Sequence, residues 1–378
     1  MGSLRNDARS ALRLVLMSTQ QAWHGGEAQA ALLAEGLRQR GHAVSVLARQ
    51  EGAFAERMTA AGFDVATFTG RGRSLLALWQ IRRELRHLRP DVLFYNDAHS
   101  LSAGSLATLR IKLPVRIAAR RVDFPIRSAA RYQACDRVIC VSRAISAVCR
   151  AGGITAEKLR VVHDGVDPAR PRSGHRDRGR LKLGLATQQS LLLTVAKLTD
   201  HKGHAFLLEA MPAVLRRHPQ TVLALAGDGE LTAPLQAQAE RLGIVGHVRF
   251  LGFRDDVPDL LAAADVFVMP SHLEGLNTSI IDAMFAAKPI VTTTAGGIPD
   301  LVAADSATGG PVAWLVPPRD PAALAEALLD ALRSPKKAAV LAELACRRAE
   351  QHFTADHMVD GMLAVIDEIL ARRIRLAA

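Results

Sequence analysis

Short, uninterrupted aliphatic runs alternate with longer amphipathic stretches along this chain, and the pattern is traversed twice. The first set of runs is Leu12–Met17, Ala43–Leu47, Val65–Phe68, Val92–Tyr95, Arg116–Ala119, Val138–Val141 and Leu159–Val162. Between them, Gly26–Arg40, Ser74–Leu88, Leu101–Arg110 and Arg143–Ala151 have helical spacing. A strand buried on both faces reads as a continuous apolar run, and alternation with helices implies a parallel sheet with right-handed crossovers. The polar segment that opens at Pro168, rich in Arg, Pro and Gly, breaks the pattern and reads as a linker over 168–189. The alternation then resumes with Ser190–Ala196, Val222–Ala226, Val248–Leu251, Val266–Met269, Pro289–Thr293 and Val312–Leu315 as strands. Helices are expected over Ala205–Arg217, Ala233–Leu242, Thr278–Ala287, Pro321–Leu332, Lys336–His352 and Ala355–Arg375. The expected fold is α/β: two doubly wound domains, 1–167 and 190–353, facing a central cleft, with a C-terminal helix over 354–378 that crosses back to the first domain. A length of 378 residues suits two domains.

Charge divides the halves. Residues 1–170 carry 26 Lys and Arg against 14 Asp and Glu, a net +12, while the remainder is at −1. A one-sided cationic surface implies an anionic partner, membrane or nucleic acid. At 4% aromatic residues, a single-strand binder that stacks bases is disfavoured. No apolar run reaches the ~18–20 residues needed to span a bilayer. Arg13 interrupts the first apolar stretch, so no signal peptide is expected, and Asn6 stands where a myristoylation signal needs Ser or Thr. Cys135, Cys140, Cys149 and Cys346 lack metal-ligand spacing and read as reduced thiols. The expected location is cytoplasmic, peripheral on the inner face of the cell membrane.

Several motifs fall where strands end, which is where open α/β sheets bind ligands. Gly25-Gly26 lies between the first strand and first helix, where backbone can approach a ligand and helix amides can meet an anion; a tight turn explains it equally well. Lys197 and Lys202-Gly203 follow the first strand of the second domain and suit a diphosphate, although lone lysines are commonly solvated surface. Gly227-Asp228-Gly229 ends the next strand. The strongest stretch is Glu274-Gly275-Leu276-Asn277-Thr278 followed by Asp282. There Asn277 is a good N-cap, the following amides point at any bound phosphate, and the two carboxylates can serve sugar and ribose hydroxyls. An Asp and a Glu near a helix start also serve the helix dipole.

Taken together, Glu274-Gly-x6-Asp282, Lys288-Pro-Ile-Val, Ala295-Gly-Gly-Ile-Pro-Asp300, Gly25-Gly26, Asp97-Ala-His99-Ser, Val141-Ser142, Gly165-Val-Asp167, Lys197 to Lys202-Gly203 and Gly227-Asp-Gly resemble the family 4 retaining glycosyltransferases over nearly the whole chain. The resemblance, which extends to bacterial lipopolysaccharide and envelope-glycan glycosyltransferases, implies the GT-B fold of two Rossmann-like domains. It implies a UDP- or GDP-type sugar donor held mainly by the second domain and an acceptor on the first. It also implies a metal-independent hexosyl transfer with retention and no cofactor. Donor contacts would come from Gly25, Gly26, Lys197, Lys202, Gly227, Gly275, Leu276, Asn277, Thr278 and Asp282, and catalytic or positioning roles from Glu274, His99 and Asp97. Asp282 stands where the family usually has Glu, Lys197 where Arg is usual, and Asn277 where Gly is common. No D-x-D sequence ends a strand, so no metal clamp is expected.

The stretch 71–89 holds Arg71, Arg73, Arg82, Arg83, Arg86 and Arg89 against a single acid, Glu84. With Leu75, Leu78, Trp79, Ile81, Leu85 and Leu88 on a helical stripe, it reads as a basic amphipathic helix. Packing in the domain with a solvated polar face is one reading; docking on anionic lipid or a lipid-linked acceptor is the other. Further bases cluster at Lys112, Arg116, Arg120, Arg121, Arg127 and Arg131. Competing functions are a GT-B epimerase or phosphorylase, and a basic nucleic-acid-binding α/β protein; the last leaves Glu274 and Asp282 without a task.

Overall fold

The computed structural model describes residues 11–70, 72–111, 115–126, 128–304 and 309–377. The chain divides into two compact units. One comprises the chain up to Val141 with Ser146–Val162 and Met358–Ala378, the other Ser142–Ile145 with His163–His357.

In the first unit, strands β1 (Arg13–Ser18), β2 (Ala43–Arg49), β3 (Asp64–Phe68), β4 (Val92–Tyr95), β5 (Val115–Arg120), β6 (Arg137–Cys140) and β7 (Leu159–Val161) form one sheet in the order β3-β2-β1-β4-β5-β6-β7. Every pairing is parallel, with Leu16 opposite Val46 on one side and Phe94 on the other. Helices α1 (Gly25–Gln39), α2 (Ala53–Ala60), α3 (Leu75–Leu88), α4 (Ala98–Ala107), α5 (Ala129–Gln133) and α6 (Arg143–Ala151) connect them. The order reverses at β1/β4, which makes the carboxyl ends of those strands the topological switch point.

The second unit repeats the plan. Here α7 (Ala169–Arg172), α8 (Arg176–Lys182), α9 (His204–Arg217), α10 (Thr232–Arg241), α11 (Val257–Ala263), α12 (Thr278–Phe285), α13 (Ile298–Val302), α14 (Pro321–Arg333) and α15 (Pro335–His352) surround a second sheet. Its strands are β8 (Ser190–Val195), β9 (Thr221–Ala226), β10 (Val248–Gly252), β11 (Val266–Met269), β12 (Ile290–Thr293) and β13 (Trp314–Val316), in the order β10-β9-β8-β11-β12-β13. The switch point is β8/β11, and both strands are apolar and buried because helices cover both faces.

The final helix, α16 (Ala355–Ala377), places Met358, Val359, Met362 and Ile366 in the same core as Leu14, Leu16 and Leu33 of the first unit. Burying a side chain such as Ile366 contributes about 1.5–3 kcal/mol. Glu368 on the same helix accepts from Arg160 Nε at 2.7 Å and from Arg137. These bonds hold its carboxyl down at about 2.

The expected linker is corrected. Much of 168–189 is helical, and α8 docks on α11: Arg178 and Lys182 bond to Asp259, and Arg176 Nη2 meets Asp265 at 2.7 Å. The charges that read as solvated are one half of an ion-pair set whose acids lie about 80 residues on in sequence. Backbone packing fixes the same contact, since a Cβ on Gly174 would lie 1.9 Å from the Pro258 carbonyl oxygen. Helices α2, α5, α7, α8, α11 and α13 also escape the sequence pattern. None exceeds eight residues, too short to establish a helical period.

Candidate functional site

In the second unit the switch point gathers most of the expected residues. Lys197 follows β8, and Ser271 follows β11. The loop after β11 turns Glu274 back so that one carboxylate oxygen, Oε2, accepts three hydrogen bonds. They come from Lys202 Nζ at 2.6 Å, Asn277 Nδ2 at 2.8 Å and Ser271 Oγ at 3.2 Å. Glu274 is 9% exposed and Ser271 fully buried, so the carboxylate is held in a place largely cleared of water. A charge there is retained only because it is paired and hydrogen-bonded. Lys202, expected on phosphate, is the cation of that pair.

Asn277 caps α12, with Oδ1 accepting from the Ile280 amide at 3.1 Å. Its two ends therefore do different work: the carbonyl satisfies the helix start and the amide nitrogen grips Glu274. The first amides of α12, including Thr278, form the positive end of its dipole beside Gly275 and Leu276. Gly275 O accepts from Ser142 Oγ at 2.8 Å, which belongs to the same unit.

Asp282 lies within α12 and turns toward α7, where Arg170 Nη1 is 4.0 Å away. Its Oδ1 is buried without a hydrogen-bond partner. Burial raises its pKa to about 6, against the weaker pull of Arg170. Gly227 follows β9 at φ +145°, and a Cβ there would sit 1.9 Å from the Ala196 carbonyl oxygen. Its N–H is committed to Gly252 O at 2.8 Å, so the residue offers close chain packing and not a phosphate donor.

Two further groups stand out, His204, which the motifs do not include, and Asp300, which ends one of them. His204, at the start of α9, is buried with neither ring nitrogen partnered, and burial lowers its pKa to about 4. Asp300 accepts from the Arg143 amide at 2.8 Å and pairs with His163 Nε2 at 3.0 Å. Burial pushes the Asp300 carboxyl up, but these partners more than offset it and the net direction is down.

The first unit carries a pocket of about 250 Å³ at its own switch point. Gly26, Asn96 and Asp97 line it, as do Glu27, Arg120 and Arg121. Glu27 is buried and its pKa is raised by that burial, against the donated hydrogen bond of Ser18 at 3.1 Å. Asp97 is the N-cap of α4 in a capping box, accepting from the amides of His99 at 2.8 Å and Ser100 at 2.9 Å. Its carboxylate thus has a structural task the sequence did not reveal. His99 is exposed on the first turn of α4 and does not line the pocket, and Gly25 begins α1 in open space.

The cationic helix departs from its expected arrangement. The buried face of α3 is Ala77, Ile81 and Leu85, while Leu75 is 88% exposed and Leu76 and Trp79 are exposed as well. Arg83 lies over the Trp79 ring at 5.1 Å and pairs with Glu84. Arg82 is spent on the end of α4, donating to Ala107 O at 2.9 Å and Leu109 O at 2.8 Å. Arg73, Arg86 and Arg89 are exposed; Arg71, Lys112 and Arg127 lie outside the described residues. Part of the outlying cluster is tied to neighbouring groups: Arg121 Nη1 donates to Asn96 Oδ1 at 2.8 Å, and the exposed Arg131 donates to Ser102 Oγ at 2.6 Å. No helix among the described residues is long and apolar enough to cross a membrane.

Comparison with known proteins agrees with this geometry. Residues 23–170 match the family model Glycosyltransferase Family 4, and residues 175–348 match Glycosyl transferases group 1. An uncharacterized glycosyltransferase of Methanocaldococcus jannaschii is 31% identical over 178 residues, 45% of each chain. D-inositol 3-phosphate glycosyltransferase of Corynebacterium jeikeium is 36% identical over 183 residues, 45% of this chain and 42% of that one. These matches span less than half the length of the curated relatives. Among solved structures, Anabaena Alr3699/HepE in complex with UDP and glucose superposes with a TM-score of 0.82 at 23% identity, covering 94% of this chain and 99% of that one. By both of its halves, the chain belongs to the family 4-type glycosyltransferases of GT-B fold.

Proposed function

We propose that the protein transfers a hexosyl group, with retention of configuration, from a UDP- or GDP-sugar to a glycan acceptor. The observation that carries this reading is the Lys202–Glu274–Asn277 cluster at the second switch point, with the orphaned Asp282 Oδ1 on the adjoining helix. The nucleoside diphosphate is assigned to Lys197, Lys202 and the first amides of α12, where preorganised positive charge stabilises the phosphate that leaves. Asp282 would take a ribose hydroxyl on its unpartnered oxygen. As Lys202 turns to the diphosphate, Glu274 Oε2 loses its cation and can accept from the donor sugar's hydroxyls. The bond from the anomeric carbon to the leaving phosphate breaks, the acceptor oxygen bonds to that carbon on the same face, and its proton passes to the departing phosphate. The cations and helix amides supply the positive charge this step needs, so transfer is expected to survive chelation of divalent metals. UDP and glucose in the Anabaena complex support the donor class.

The test is a thermal-shift panel of UDP-, GDP- and ADP-sugars followed by transfer assays with and without EDTA. A ligand at 100 times its Kd should stabilise by about 2.7 kcal/mol. A panel in which no nucleotide sugar stabilises the protein contradicts the reading.

A specific observation favours an acceptor presented at the inner membrane face. Exposed Leu75, Leu76 and Trp79 share α3 with Arg83 and Arg86, and Arg73 precedes the helix, an apolar tip with a cationic surround suited to anionic lipid. Flotation with phosphatidylglycerol vesicles should exceed that with phosphatidylcholine, and equal binding to both overturns this part.

A further inference from the structure

The pocket of the first unit has a feature that its walls do not use. Arg120 ends β5 and is 7% exposed; one of its terminal nitrogens, Nη2, donates to the Phe124 carbonyl, yet its Nε is buried with no hydrogen-bond partner. Tyr132, on α5 and 5% exposed, has its hydroxyl buried beside that guanidinium, with no acceptor for its proton. Both residues line the pocket, together with Arg121 and His24. Buried polar groups are almost always satisfied, so two donors left over in the wall of one pocket point to a ligand that satisfies them.

The acids of the pocket are turned to donors of their own. Asp97 is turned to the amides of His99 and Ser100 and to Thr19, and Glu27 accepts from Ser18 and Asn96. Arg121 is held in place through Asn96, to whose Oδ1 and backbone carbonyl it donates. A guanidinium keeps its proton at every relevant pH and matches an oxyanion geometrically. Burial raises the pKa of Tyr132 against the opposing charge of Arg120, which leaves the phenol a donor.

We propose that this pocket anchors the acceptor and selects one bearing an oxyanion, a phosphate or a carboxylate, held by Arg120, Tyr132 and Arg121. This rests on the glycosyltransferase reading for the word acceptor, while the anion site itself does not. Glucose 6-phosphate, glucuronate and glucose, titrated calorimetrically into the full chain at constant ionic strength, distinguish the alternatives, with UDP titrated in parallel. At least one anionic sugar should bind 10-fold or more tightly than glucose. Binding of glucose 6-phosphate alone assigns a phosphate and binding of glucuronate alone a carboxylate. Tyr132→Phe, a conservative change, should weaken the anionic sugar about 10-fold while UDP affinity stays at the wild-type value; Arg120→Lys should do the same. Equal binding of all three sugars, no binding of any, or wild-type affinity in Tyr132→Phe overturns the proposal. Absence of UDP binding to the wild type instead contradicts the donor assignment and leaves the anion result to be judged alone.

Discussion

Lys202 Nζ lies 2.6 Å from Glu274 Oε2, and both side chains are mostly buried, so the site stores a cation and a carboxylate in each other's company. Breaking a buried pair by removing one partner costs about 3–5 kcal/mol because the survivor is left uncompensated. Lys202→Met and Glu274→Ala should each lose stability of that order in urea titrations, and the double variant should recover much of it. Additive losses would show that the pair does not exist in solution.

The same pairing dictates how the role of Glu274 is tested. Glu274→Gln keeps an acceptor for Asn277 and Ser271 while removing the charge, so it should fold and bind UDP but transfer sugar at least 100-fold more slowly. Undiminished turnover in that variant removes Glu274 from the reaction.

Asn277 links helix α12 to the carboxylate, and two substitutions separate the roles. Asn277→Ala should cost about 1 kcal/mol for the lost cap, and more for the lost bond to Glu274. Asn277→Asp keeps the cap but sets a second carboxylate 3 residues from Glu274, and should lower activity more than stability. An Asp variant with full activity would show that the amide's grip on Glu274 is dispensable.

Asp282 makes stability depend on pH in an identifiable direction. Its folded-state pKa, about 6, lies above the usual 3.8, so the folded form prefers the proton. Its contribution is neutral below about pH 4 and becomes unfavourable as pH rises to about 6, reaching about 3 kcal/mol. His204, lowered to about 4, acts oppositely, since it penalises folding as pH falls below 6.5. The wild type therefore hides both effects. Asp282→Asn should be more stable than wild type at pH 7.5, equal to it near pH 4, and weaker in UDP binding. A stability difference that does not change with pH would contradict the buried-carboxylate account.

The contact of α8 with α11 predicts that Gly174→Ala destabilises by about 1–3 kcal/mol, as overpacking against backbone does. A flexible linker would tolerate the change, and a Tm equal to wild type would show that it is one.

Most of the strands were legible because burial on both faces writes itself as a continuous apolar run. The cap at Asn277 was legible too, since it needs only neighbours in sequence. What escaped depends on distant partners. Nothing near Arg178 announces Asp259, and nothing near Arg120 announces Tyr132 or a pocket. Lys202 was recognised as a cation, but its bond to Glu274 spans 72 positions. On α3 the pattern held two apolar faces, and spacing alone did not say that Leu75 and Trp79 belong to the outer one while Ile81 and Leu85 belong to the core.

In the proposed reaction the second switch point holds a nucleoside diphosphate sugar through Lys202 and Asp282. Calorimetric titration of UDP-glucose and GDP-mannose into wild type, Lys202→Gln and Asp282→Asn measures that binding. Saturable binding of one donor by the wild type, weakened at least 10-fold in each variant, is the predicted result. No binding of either donor to the wild type, or equal affinity in all three proteins, would contradict it.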